Sequence, residues 1–228
     1  MTPSIPKVLF NFLLALKANN TREWMLENKK EYLANEKTLK ICYAAIENGL
    51  NTSDKISKTK IFRINRDIRF SKNKTPYNVH RSVSFSRAGA QRRGGYYLRL
   101  EPGNSYMAGG FFDPNSADLF RIRKEFERDA SEIREILNQK EFKNVFGGFN
   151  QENAVKTAPK GFSKEAENID LIRLKSYFVM HRFTDEEVFA SDFIEKLLSY
   201  YQLLRPFFDS MSDVLTTDLN GVSLIEHA

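Results

Sequence analysis

Apolar residues recur at helical spacing near both ends of the chain and at alternating spacing in its middle, and this change of period predicts the order of elements. A short helix is expected over 5–18, broken by Asn19-Asn20. A longer one follows over 21–48, with Asn20 as N-cap and Glu23 in a capping-box position. Tyr32, Asn35, Leu39, Cys42 and Ile46 share one face of it, and Gly49 ends it. The stretch 51–59, rich in Ser, Thr and Lys, reads as a polar linker. Alternation then begins. Phe62, Ile64, Ile68 and Phe70 fall on one parity against Arg63, Asp67 and Arg69 on the other, which predicts a strand over 62–70. A second strand is expected over 80–87, and a hairpin pairs 94–101 with 105–112 through Pro102-Gly103, suited to a type II turn.

Helical spacing returns at Ser116, a candidate cap for a helix running to about 137. Glycine and proline punctuate a looser region from Gly147-Gly148 to Gly161. A short helix over 169–174 and an apolar strand over 176–180 come next. The last element, 193–214, is amphipathic and carries Pro206 inside it, where a kink or break is expected. Strands grouped between helices predict an α+β fold: a central, mainly antiparallel sheet flanked by N-terminal and C-terminal helices, in one domain spanning 1–228.

Composition narrows the class. Hydrophobic residues make up 41% of the chain and charged ones 28%, which suits a packed globule rather than a disordered chain. No segment is apolar for the length of a membrane span. Asn11 and Lys17 interrupt the N-terminal apolar stretch, so neither a signal peptide nor a membrane partner is expected. The single cysteine, Cys42, sits among apolar neighbours and reads as a small buried hydrophobe in a reducing, cytoplasmic setting.

Charge is unevenly spread. Between Lys55 and Arg99 stand thirteen Lys or Arg against one acid, Asp67, a surplus of +12, whereas the rest of the chain is net −6. Inside this region lies Arg63-x-x-Arg66-Asp67-x-Arg69-Phe70 followed by Asn73-Lys74-Thr75-Pro76-Tyr77. Like charges so crowded repel unless something negative lies between them. Acids on neighbouring helices, such as Glu23, Glu31, Glu125, Glu165, Asp185 or Glu187, are candidates for pairing them. Alternatively the cluster binds an anion. Arginine forks suit phosphate and carboxylate, so Arg63, Arg66, Arg69, Lys74, the Tyr77 hydroxyl and Arg81 are candidate ligand-binding groups, with Asp67 orienting one guanidinium.

The basic string, together with Asn19-Asn20-x-Arg22-x-Trp24, Asn28-Lys29-x-x-Tyr32, Lys156-Thr157-x-Pro159-Lys160-Gly161-Phe162 and Asp170-x-x-Arg173-x-Lys175, resembles the family of bacterial and fungal proteins called domain of unknown function 2461. The resemblance runs over nearly the whole chain and implies no reaction, ligand or cofactor.

An anionic small molecule or phosphate group is therefore the first expected partner. Nucleic acid is the second, because the basic segment is interleaved with Phe62, Phe70, Tyr77, Phe85, Tyr96 and Tyr97. An enzyme of unfamiliar mechanism acting on a phosphorylated substrate is the third. No nucleophile elbow, phosphate loop or dinucleotide fingerprint is present. Of the histidines His80, His181 and His227, His80 lies nearest the basic cluster and is the candidate acid or base. No patterned metal-ligand set and no cofactor motif is found. Catalytic residues and oligomeric state are not legible at this level.

Overall fold

The computed structural model describes residues 3–225, and His227 lies outside them. Five strands, β1 (Ile56–Ile61), β2 (Arg81–Arg87), β3 (Gly95–Leu100), β4 (Ser105–Phe111) and β5 (Tyr177–Phe183), form one antiparallel sheet in that order, flanked by N- and C-terminal helices. The fold is α+β. No described helix is long and apolar enough to cross a membrane.

Several elements depart from the periodicity. The first long helix is two, α2 (Arg22–Glu27) and α3 (Lys29–Leu50), preceded by α1 (Lys7–Ala18). Thr21 caps α2, its hydroxyl accepting from Trp24 N, and Asn20 is spent elsewhere. The stretch read as a polar linker overlaps the first four residues of β1, a strand with no fully buried residue because it lies at the sheet edge, so its polar composition is compatible with a sheet. Conversely 62–70 is not a strand. Its alternation arises in an irregular excursion between β1 and β2, and the arginine cluster sits on this connection rather than on central strands.

The hairpin between β3 and β4 turns as expected, with Gly103 at φ +69° and Asn104 N donating to Glu101 O at 2.9 Å. The helix expected over 116–137 divides into α4 (Ser116–Arg128) and α5 (Ser131–Asn138), and Asn115, not Ser116, caps it. Two helices were invisible to periodicity: α6 (Lys140–Phe146) and α8 (Asp185–Phe189), both short. Between them lies α7 (Ile169–Ile172). Near Pro206 the last helix breaks into α9 (Phe193–Leu203) and α10 (Arg205–Thr216), where proline occupies the first turn and its missing N–H has no helical partner to lose.

The chain divides into two compact units. One comprises the described residues up to Phe85, Tyr97–Met107 and Arg182–Ser199, and it carries the basic excursion. Its core joins α1 and α3 through buried Leu9, Phe12, Leu13, Leu39 and Ile46. Cys42 is fully buried there, and burial raises its thiol pKa, which keeps it protonated and inert. The other unit comprises Ser86–Tyr96, Ala108–His181 and the described residues from Tyr200 on. Its core is aromatic: Tyr96 meets Tyr201 and Phe208, and Phe111 meets Phe207. A buried Arg87 pairs with Asp209 at 2.6 Å in this second unit.

Candidate functional site

The excursion from Phe62 to His80 is held by its own backbone and by the very side chains that make its sequence distinctive. Arg66 N donates to Pro76 O at 2.8 Å and Asn78 N to Ile64 O at 2.7 Å, on either side of an antiparallel bridge between Asn65 and Tyr77. Buried Ile64 anchors one arm. The other is clamped by Asn20, whose side chain donates to Tyr77 O at 3.0 Å and accepts from Tyr77 N at 3.1 Å. This pairing gives Asn20 its role in place of the helix cap. Tyr77 thus contributes its backbone to the architecture.

The charged side chains divide into groups that shape the excursion and groups that face outward from it. Arg66 staples its two arms. Its Nη1 donates to Thr75 O at 3.2 Å and Thr75 Oγ1 at 2.5 Å, and its Nη2 to Ser71 Oγ at 3.3 Å. Lys74 Nζ donates to Ile68 O at 3.0 Å. Arg69 grips Asp67 through Nε at 3.0 Å and Nη2 at 2.7 Å, as expected for an acid that orients one guanidinium. This pair is exposed, and the Arg69 hydrogen bonds hold the Asp67 carboxyl below its ordinary pKa, with the Arg63 charge adding to the effect.

Arg81 does not join the others. Alternation along β2 turns it to the side opposite His80 and Ser82, where it is 2% exposed. There its Nε and Nη2 donate to the two oxygens of Glu36 at 2.6 and 2.7 Å, while Nη1 donates to Phe62 O at 2.7 Å. Each of its three nitrogens thus donates to a protein oxygen, and its charge is met by Glu36. Arg81 therefore braces the mouth of the excursion against α3 rather than reaching a ligand. The acids expected to neutralise the cluster are occupied elsewhere in several cases: Glu125 with Arg121, Glu187 with Lys196, and Asp185 with Gly103 N. Glu36, the acid that does reach a predicted site arginine, follows Asn35 on α3 and carries no local signal of its partner.

Between the excursion and the sheet lies a cleft of about 410 Å³. Arg63, Arg66 and Asp67 line it from the excursion, as do Asn65 and Asn78, two amide side chains whose place only the folded loop reveals. Its other wall is Phe62, His80, Ser82 and Tyr97. Arg69, Lys74, Tyr77 and Arg81 are not among the lining groups. Among the described residues Arg63 forms no ion pair, and Arg66 has only neutral oxygen partners. The one carboxylate in the lining, Asp67, is already held by Arg69. His80 is uncharged at neutral pH. Burial pushes its pKa down to about 4, and the Arg99 and Arg81 charges outweigh the opposing effect of Glu101. Among the described residues no group of His, Cys, Asp and Glu is arranged to hold a metal ion.

A family model described as conserved hypothetical protein (DUF2461) matches residues 8–209. No curated protein is matched by the chain, and no solved structure is matched either.

Proposed function

We propose, for a chain that belongs to the conserved hypothetical protein family DUF2461, that the cleft beneath the 62–80 excursion binds an anionic ligand through phosphate or carboxylate oxygens. The observation that carries this reading is the pair of arginines, Arg63 and Arg66, lining one cleft without a carboxylate of their own. A guanidinium beside a cleft with neutral partners only gains most from an incoming oxyanion, because charge-assisted hydrogen bonds are roughly twice as strong as neutral ones. Arg66 is held in place by Thr75 and Ser71, so its donors are oriented before the ligand arrives. Arg63, exposed at the same cleft, completes the clamp. Asn65 and Asn78 supply neutral donors beside them. The buried, free Cys42 fits a reducing, cytoplasmic setting for this activity.

Titration calorimetry with inorganic phosphate and with citrate tests the reading. Arg63→Ala is the clean variant, since it disturbs no hydrogen bond of the Arg63 side chain. It is expected to weaken anion binding by about tenfold or more, the equivalent of one charge-assisted bond, with an unchanged melt. Equal affinity in the variant, or no uptake of either anion by the native chain, refutes the proposal.

A second reading, turnover of a phosphorylated ligand, has one observation in its favour: His80 is uncharged at neutral pH, lines the same cleft, and is its natural proton acceptor. Release of nitrophenol from p-nitrophenyl phosphate, lost in His80→Gln while phosphate binding persists, is the corresponding test.

A further inference from the structure

The cleft accounts for the arginines but not for the rings beside it. Along β3 the alternation buries Tyr96, Leu98 and Leu100 and leaves Gly95, Tyr97 and Arg99 only partly covered. Tyr97 stands in the middle of an aromatic row on that face, with the Phe62 ring 6.0 Å to one side and the Tyr106 ring 5.8 Å to the other. All three rings are half-buried. Cations bracket the row. Lys60 Nζ lies 4.8 Å from the Phe62 ring centroid, and the Arg99 and Arg182 guanidinium groups lie 5.8 and 5.9 Å from that of Tyr106. Phe62 and Tyr97 also line the anion cleft, so the row begins inside it and runs on past it to Arg182.

Cross-strand aromatic pairs stabilise sheets whatever their function. A purely structural row, however, gains most when it is covered, and these rings are left partly open beside Lys60, Arg182 and an Arg99 that pairs with Glu101 at 2.6 Å. Exposed π faces interleaved with cations are the surface that a chain of flat, phosphate-linked bases requires, because every base offers a face to stack and every link a negative charge.

We propose that this face binds a single strand of nucleic acid, one phosphate held at Arg63 and Arg66, a base against Tyr97, and the strand continuing over Tyr106 toward Arg182. The inference rests on the anion reading of the cleft and deepens it by naming the ligand class. A strand is favoured over a free nucleotide because Tyr106 and Arg182 lie outside the cleft lining, where one base with one phosphate does not reach them; Arg99 is held by Glu101 at 2.6 Å, and among the described residues Arg182 has only the neutral Asn104 oxygen as hydrogen-bond partner. Exposed Lys55, Lys58 and Lys60, in and beside β1 of the same unit, supply the matching long-range attraction.

The test is fluorescence anisotropy of the full chain with a labelled oligothymidylate of about 10 nucleotides, alongside calorimetry with thymidine monophosphate and with inorganic phosphate. The oligonucleotide is expected to bind at least about tenfold more tightly than the monophosphate and to weaken steeply with salt. Tyr106→Ala should lower oligonucleotide affinity about fivefold or more and leave phosphate binding unchanged, while Tyr106→Phe retains both. Arg182→Ala is a second variant at an exposed position that keeps the test open should Tyr106→Ala fold poorly, and it too should weaken only the oligonucleotide. Monophosphate binding as tight as the oligonucleotide, or Tyr106→Phe and Arg182→Ala variants in which the first behaves like alanine and the second like the native chain, overturns the strand. Phosphate uptake sensitive to Arg63 without oligonucleotide binding sinks this inference alone; absence of phosphate uptake as well sinks the anion cleft with it.

Discussion

Replacing Glu36 by alanine isolates the brace at the mouth of the excursion. The Arg81 side chain is 3% exposed and that of Glu36 15%, so the pair is screened little by solvent. Two short, parallel hydrogen bonds join them, at 2.6 and 2.7 Å. Removing the carboxylate leaves a buried guanidinium with one remaining acceptor, Phe62 O. Loss of two bonds to a charged group, at about 1.5–3 kcal/mol each, gives about 3–6 kcal/mol. Breaking a buried ion pair by deleting one partner gives about 3–5 kcal/mol, so the two routes agree. For a chain of this size each kcal/mol moves the melting temperature by about 2–4 °C, and the variant is expected to melt about 6–20 °C lower. Urea unfolding followed both by circular dichroism and by the fluorescence of Trp24, the single tryptophan, provides the assay. Replacing both partners, Arg81→Met with Glu36→Leu, should recover most of the loss, because no charge is then stranded. A Glu36→Ala loss below about 1 kcal/mol would refute the reasoning, since it matches a solvated surface pair rather than a buried one.

Further outcomes follow from other parts of the molecule. His80 should titrate near pH 4 by NMR, against about 6.5 for an unperturbed imidazole; its folded pKa is the lower, so the unfolded chain binds the extra proton first, and stability present above about pH 6.5 is lost as pH falls toward 4, a trend that His80→Gln should flatten. Saturating phosphate should raise that pKa, read as a shift of the same resonance, and an unmoved titration would argue against an anion beside it. Arg66→Ala, unlike Arg63→Ala, should speed amide exchange at Arg66 and Asn78, because the side chain that ties the arms is gone. Gly110→Ala should destabilise by about 3 kcal/mol or more, since a Cβ there would lie 2.3 Å from Tyr177 O and 2.4 Å from Phe178 Cα, both backbone; Gly109→Ala meets side chains instead, the tip of Leu204 at 2.1 Å and the Phe208 ring at 3.3 Å, and should cost about 1–2 kcal/mol in the same unfolding assay.

What the sequence determined by itself was set by local chemistry. Period and punctuation placed α1, β2, the β3–β4 hairpin at Pro102-Gly103 and the break at Pro206, because each depends on residues a few positions apart. The clustering of positive charge was equally plain, as was Asp67 as the acid to orient one guanidinium; that the guanidinium is Arg69 came from the structure. Tertiary structure alone decided the rest. Alternation over 62–70 cannot distinguish a strand from an irregular loop, since the outcome rests on hydrogen-bond partners at Pro76, Tyr77 and Asn20 that lie far along the chain. The fate of each arginine was likewise a matter of distance in space. Glu36 reaches Arg81 across 45 positions and removes it from the site, whereas Arg63 and Arg66 are left facing a cleft whose other wall, Tyr97 and His80, comes from different parts of the chain. Electrostatic pairing acts through space over a few ångströms, and only the folded backbone says which charges come that close.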